Sequence, residues 1–242
     1  MEEKVLDKEN SHLYIAIDTN IVIALASLYM YEKCEDKSIV LEDFVLKENF
    51  KKFKALFEEI KKDKLRVMVT TTTFAESKLF DYKKLYSKNT KNNQKNVNYV
   101  KEFLTKYCYF PKDPANELRI RKIKRLAKEY RSKDAIPNKE YNDSMIMAEA
   151  SVERLNLLTH NGKDFVFYSN NKKIDLRRKK IIKTNKENGI HIKTHYADII
   201  PKPIMVHEFI PNEKVNHNVS IRCDDKTKVK IDQEMVDETF SK

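Results

Sequence analysis

The chain has 242 residues, enough for one well-formed core, and one domain with insertions suits that length better than two full domains. Lys+Arg number 48 against Asp+Glu 37, a formal net charge of +11. That excess favours a polyanionic partner, nucleic acid first, although a Lys- and Asn-rich chain can also follow from the base composition of its gene. The two glycines, Gly162 and Gly189, cannot form a phosphate-cradling loop, which excludes P-loop and Rossmann dinucleotide binding. Cys34, Cys108 and Cys223 are scattered and odd in number, which argues against a zinc ribbon or a disulfide framework and fits a reducing compartment. The start Met1-Glu2-Glu3-Lys4 lacks the features of a signal peptide, and the longest near-apolar run, residues 21–31, is too short to span a bilayer. A cytoplasmic protein without membrane association is expected.

In chain order, residues 13–17 form an apolar run that reads as a buried strand. Asp18, Thr19 and Asn20 end it, and any of them can cap the apolar helix that begins near Ile21. Phe50, Phe53, Leu56, Phe57 and Ile60 recur at helical spacing. Residues 66–73 are β-branched and read as a second strand, and residues 74–82 as a helix. Residues 86–98, rich in Asn and Lys, read as a loop or insertion, and residues 97–109 as helical, with Pro111 and Pro114 breaking the pattern. Residues 117–133 read as a helix with the stripe Leu118, Ile123, Leu126 and Tyr130, and residues 144–155 as another. Short strands are expected within 156–159 and 191–194. After Pro211, the alternation of Val219, Ile221 and Cys223, then of Val229 and Ile231, predicts a hairpin appended to the main domain. Strands alternating with helices imply an α/β domain with a mainly parallel sheet.

Four acids stand just beyond predicted strands or at the start of the next helix: Asp18, Glu76, Asp143 and Asp164. Taken singly each has an ordinary reading: Asp18 and Asp143 as helix caps, Glu76 as a solvated helix charge, Asp164 as a turn cap. Gathered at one sheet edge they would repel one another unless a cation sat between them, and carboxylate oxygens suit a hard dication such as Mg²⁺ or Mn²⁺. The basic helix at 117–133, with Arg121, Lys124 and Arg125 among its cations, and the run Arg177-Arg178-Lys179-Lys180 can grip phosphates or simply face solvent. His191 and His195, four apart on a predicted strand and its exit, do not read as a zinc pair, and His160 stands beside the proposed site.

Four segments resemble those of PIN-domain nucleases, in that family's order. They are Ile15-Ala16-Ile17-Asp18-Thr19-Asn20-Ile21-Val22, Val69-Thr70-Thr71-Thr72-Thr73-Phe74-Ala75-Glu76, Asn142-Asp143-Ser144-Met145-Ile146-Met147-Ala148-Glu149-Ala150 and Leu157-Leu158-Thr159-His160-Asn161-Gly162-Lys163-Asp164-Phe165. The resemblance covers residues 12–82 and 115–200. It implies a three-layer PIN-like domain over 12–205 with a helical insertion at about 84–114, followed by a C-terminal extension at 206–242. It further implies an Mg²⁺- or Mn²⁺-dependent endoribonuclease whose products carry 5′-phosphate and 3′-hydroxyl ends. On this likeness Asp18, Glu76 and Asp143 are metal ligands and Asp164 the fourth acid, with Asn161 as the alternative occupant of the fourth place. Asn20 and Thr71 would hydrogen-bond the ligands or the scissile phosphate. RNA is the implied partner, with an antitoxin protein where the chain is the toxin of a toxin–antitoxin pair, and homodimers occur in the family. Small PIN toxins lack so long a segment at 86–114 and lack the tail after residue 211, so a larger nuclease with another RNA substrate stands beside the toxin role. The rival functions are a catalytically weak or inactive PIN-like module that holds RNA or protein, and a nuclease specific for structured DNA.

Overall fold

The computed structural model describes residues 11–33, 44–79, 93–113, 117–131, 141–161, 165, 187, 203–205 and 221–241. The elements in chain order are β1 (Ser11–Ile17), α1 (Thr19–Lys33), α2 (Phe44–Lys61), β2 (Arg66–Val69), α3 (Thr71–Leu79), α4 (Asn93–Tyr107) and β3 (Cys108–Pro111). After them come α5 (Glu117–Tyr130), α6 (Tyr141–Val152), β4 (Leu157–Thr159), β5 (Pro203–Met205), β6 (Ile221–Asp224), β7 (Lys228–Lys230) and α7 (Gln233–Phe240).

The alternation of side chains along a strand produces the layers. Ile15 and Ile17 of β1 share a face with Val67 and Val69 of β2, and this face packs against α1, α2, α4 and α7. Tyr14 and Ala16 share the opposite face with Met68 and Leu157, against α5 and α6. Tyr14 through Ile17 are therefore all fully buried, as a central parallel strand requires. The strand order is β5-β4-β1-β2-β3-β7, with β6 also paired to β1. The pairings β1–β2, β1–β4, β2–β3 and β4–β5 are parallel, and only those of β6 and β7 are antiparallel. The α/β architecture with a mainly parallel sheet expected from the alternation of elements is present, with helices packed on both faces of the sheet. Among the described residues no helix is long and apolar enough to cross a membrane, and Cys108 and Cys223 are free thiols.

Several local expectations change. Residues 66–73 are not one strand: β2 ends at Val69, and Thr70 starts a helix by accepting a hydrogen bond from Thr73 N at 3.1 Å. A threonine hydroxyl at a helix N-terminus outweighs the β preference of a Thr run. The described part of the supposed insertion at about 84–114 is integral to the domain. Val100, Phe103 and Leu104 of α4 lie in the main core, and β3 is the parallel neighbour of β2. Leu118 is 74% exposed, not part of the α5 stripe. Five residues before Ile123 it stands about 140° away around the helix, whereas Arg119 and Ile120 are half-buried. The segments around 86–92 and 191–194 lie outside the described residues.

The C-terminal strands form where expected but do not make a hairpin. β6 runs antiparallel to the first half of β1, from Ser11↔Asp224 to Tyr14↔Ile221, and β7 antiparallel to β3. A 3₁₀ turn, Asp225–Thr227, joins them. Its Asp225 is held by His12 Nδ1 at 2.7 Å, by the Tyr14 hydroxyl at 2.9 Å and by Arg66 at 3.1 Å. The main sheet offers open backbone edges that outcompete the pairing of β6 with β7, and a buried ion pair reinforces this. Lys228 Nζ lies 2.6 Å from Glu153 Oε2, which also meets Arg119 through its other oxygen.

Removing either partner leaves the other charge buried without its counter-ion. In urea unfolding, Glu153→Ala and Lys228→Met are each expected to cost about 3–5 kcal/mol. Parent-like stability in either variant would show that the ion pair is not what the site requires.

Candidate active site

The order of the sheet reverses at β1: β2 lies on one side, and the chain returns to place β4 on the other. In open α/β sheets such a reversal leaves a crevice beyond the carboxyl ends of the strands. Asp18 is the first residue past β1 and lies in that region. Its N–H donates to Leu158 O at 3.0 Å, and its carbonyl accepts from Ile21 N and Val22 N, both at 3.0 Å. Asp18 thus begins α1 through its backbone and leaves its side chain for other work. That side chain is 3% exposed. Its Oδ1 accepts from Thr19 N at 2.6 Å and its Oδ2 from the Thr159 hydroxyl at the end of β4 at 2.8 Å.

Glu76, half-buried on α3, faces the same place. Thr19 Oγ1 donates to its Oε2 at 2.5 Å, and Asn142 Nδ2 donates to its Oε1 at 2.6 Å. A continuous path therefore runs from Asp18 through Thr19 and Glu76 to Asn142, joining α1, α3 and α6. Asp143, half-buried, follows Asn142 in the first turn of α6. Because α6 begins at Tyr141, Asp143 lies inside the helix and is not its N-cap, a position where its charge still favours the helix dipole.

Burial, above all, pushes Asp18 up to about 6, and the charge of Glu76 adds to the rise. The hydrogen bonds from Thr159, Thr19 and Asn20 hold it down. A carboxylate sequestered from water beside a second carboxylate is unfavourable as an anion unless positive charge joins it. Glu149, also buried, is displaced upward by burial as well. It accepts from Thr72 N and from Thr72 Oγ1, each at 3.0 Å, so its charge meets the N-terminus of α3, the helix that carries Glu76.

No protein-family model matches this chain, and no curated protein or solved structure does. Among the described residues, no group of three His, Cys, Asp or Glu side chains is poised to hold a metal ion. The oxygen donors available there are Asp18 and Glu76, with Asp143 nearby along α6. Asp164, the predicted fourth acid, lies outside the described residues. Asn161, its alternative, is half-buried beside the site, with its N–H on the Thr159 hydroxyl at 3.0 Å.

Of the other predicted contacts, Asn20 contributes to holding the Asp18 carboxylate, and Thr71 is exposed in the first turn of α3. On α5, Lys124 and Arg125 are exposed, Arg121 pairs with Glu117 at 2.5 Å, and Arg119 is committed to Glu153. The run Arg177-Arg178-Lys179-Lys180 lies outside the described residues. Sequence reasoning missed Thr19, Asn142, Glu149 and Thr159 as individual contributors. Each lies within a segment singled out for its acid, but only contact across elements distinguishes a positioning hydroxyl or amide from a solvated one.

Proposed function

We propose that the chain is a divalent-metal-dependent endoribonuclease of PIN-like architecture. The observation that carries this reading is the buried Asp18 carboxylate linked through Thr19 to Glu76 at the carboxyl end of the sheet. Among the described residues neither acid forms a salt bridge with a Lys, Arg or His. An all-oxygen donor set suits Mg²⁺ or Mn²⁺. Mg²⁺ is commonly held by one or two carboxylates together with substrate phosphates, so Asp18 and Glu76, with Asp143 nearby, are a sufficient set of protein ligands. When bound, such an ion supplies Lewis-acid activation of water and neutralises charge on the phosphodiester.

The chain's own residues hold the carboxylates in place. Thr19 and Asn142 occupy one oxygen each of Glu76, Thr159 and the Thr19 N–H fix Asp18, and Glu149 anchors the start of α3. Asn161 or Asp164 supplies the fourth place, and Lys124 and Arg125 on α5, which packs against α6, supply phosphate contacts. No side-chain nucleophile is required: water would attack phosphorus, the P–O3′ bond would break and the 3′-oxygen would leave as the hydroxyl, giving a 5′-phosphate and a 3′-hydroxyl.

The test is incubation of end-labelled single-stranded RNA with purified protein in Mn²⁺, with EDTA added, and with Glu76→Gln in place of the parent. Cleavage is expected only for the parent in metal, with the variant slower by about 100-fold or more, the scale of a lost transition-state charge contact. RNA left intact by the parent would reduce the protein to a binding module. Preferential cutting of a branched DNA competitor would transfer the activity to structured DNA.

A further inference from the structure

A groove of about 240 Å³ opens at the amino-terminal ends of β2 and β3, the opposite end of the strands from Asp18. Lys61, Arg66, Lys106 and Lys230 line it with Tyr107 and Tyr109, against a single acid, Asp63. Two of the four cations are neutralised. Lys61 lies 2.5 Å from Glu58 and 3.0 Å from Glu32. Arg66 is held by both oxygens of Asp63, at 2.8 and 2.7 Å, and by Asp225 at 3.1 Å. This uses up Asp63 as well.

Lys106 and Lys230 differ. Neither pairs with a carboxylate among the described residues, and both are exposed. The Lys230 ammonium lies 4.4 Å from the centroid of the Tyr109 ring and that of Lys106 lies 5.4 Å from the Tyr107 ring. Glu102, one turn before Lys106, is taken by Lys33 at 2.5 Å and by Tyr29 at 3.1 Å. The rings orient two ammonium groups toward one groove without neutralising them. Two uncompensated cations converging on one concavity are a site for an anion with several acceptor oxygens.

We infer that this groove binds a backbone phosphate of the RNA, as a second point of grip on the same strand. The inference rests on RNA being the ligand, as proposed above, but not on its being cut. β2 is four residues long, so the groove and the carboxylates are on the order of 10–15 Å apart along the strand direction. One single strand can therefore engage both.

The experiment measures binding of a labelled single-stranded oligoribonucleotide by fluorescence anisotropy across a salt series, in EDTA so that nothing is cut. The protein is the full chain carrying Lys106→Glu and Lys230→Glu. A control carries Lys51→Glu and Lys54→Glu, exposed positions on α2 that make the same change in net charge. The groove variant is expected to bind about tenfold or more weakly and to flatten the plot of log affinity against log salt by about 0.7, one single-strand phosphate contact. The control should stay close to the parent. Lys106→Gln with Lys230→Gln, which removes the cations without adding acids, should show the same flattening and guards against a folding defect.

Parent-like affinity and slope in both groove variants overturns the inference, as does an equal loss in the control. Inorganic phosphate titrated into the parent by calorimetry separates a free anion from a backbone. Phosphate binding that is lost in the groove variant while RNA binding is unchanged assigns the groove to a free phosphate and overturns the RNA contact. Cleavage by the parent in Mn²⁺ is read in a separate assay, so failure of the groove and failure of the nuclease reading show in different measurements.

Discussion

Asp18→Asn is expected to yield a protein that no longer cuts RNA but that, without metal, unfolds at a higher temperature than the parent at pH 8. The group is raised from 3.8 in the free side chain to about 6 in the folded chain. The folded state therefore binds this proton more tightly than the unfolded state does, and stability from this group falls as pH rises from about 4 to about 6. Above about pH 6 the full cost is present, and two units correspond to about 3 kcal/mol. Asparagine removes that charge. It also alters the contacts with Thr19 and Thr159, at about 1 kcal/mol for an imperfect hydrogen bond.

The net gain is then on the order of 1–2 kcal/mol at pH 8, and it changes sign between about pH 6 and pH 4, where the charge cost disappears and the altered hydrogen bonds remain. Thermal melts across that range measure it. Mn²⁺ should raise the melting temperature of the parent and not of the variant, since a ligand stabilises only the state that binds it. The affinity of the parent for Mn²⁺ should weaken as pH drops through about 6, where metal-free Asp18 takes up its proton and the ion must displace it. A variant that is less stable than the parent at pH 8, responds equally to Mn²⁺ and still cuts would reduce Asp18 to a helix cap.

A chain ending at residue 220 is expected to lose cooperative folding altogether. The excised part is not an appendage. It removes β6 from β1 and β7 from β3, exposing ladder edges that the intact fold covers. It takes Ile231, 1% exposed, and Val236, fully buried, out of the main core, at about 1.5–3 kcal/mol each. Asp225 leaves His12, Tyr14 and Arg66, and Glu153 loses Lys228. Together these losses match or exceed the 5–15 kcal/mol by which a domain is typically stable. Far-UV circular dichroism during heating, with a dye that reports exposed apolar surface, measures the effect. A sharp transition within a few degrees of the parent would show that residues 1–220 fold by themselves.

The strand at Tyr14-Ile15-Ala16-Ile17 was legible because four consecutive apolar residues ahead of Asp-Thr-Asn have few other uses. Asp18 and Glu76 could be expected near each other because each follows a strand, and a parallel sheet gathers such positions at one end; the link through Thr19 bears out this much. The amphipathic period identified most of the buried face of α5, Ile123, Leu126 and Tyr130.

Local order along the chain determined where elements form, since period, caps and breakers act within a few residues. It could not decide what those elements pair with. β3 is four residues long and alternates weakly, and it became a strand because β2 offered it an edge. β6 and β7 carry the pattern of a hairpin, yet the free edges of β1 and β3 compete for the same backbone groups and win. The hydroxyls of Thr19 and Thr159, the amide of Asn142 and the carboxylate of Glu149 are ordinary polar residues in the sequence. Only the approach of α1, α3, α6 and β4 turns them into the frame around two carboxylates. Contact between residues 141 positions apart, as between Asp18 and Thr159, depends on sheet order, and sheet order is a property of the whole chain.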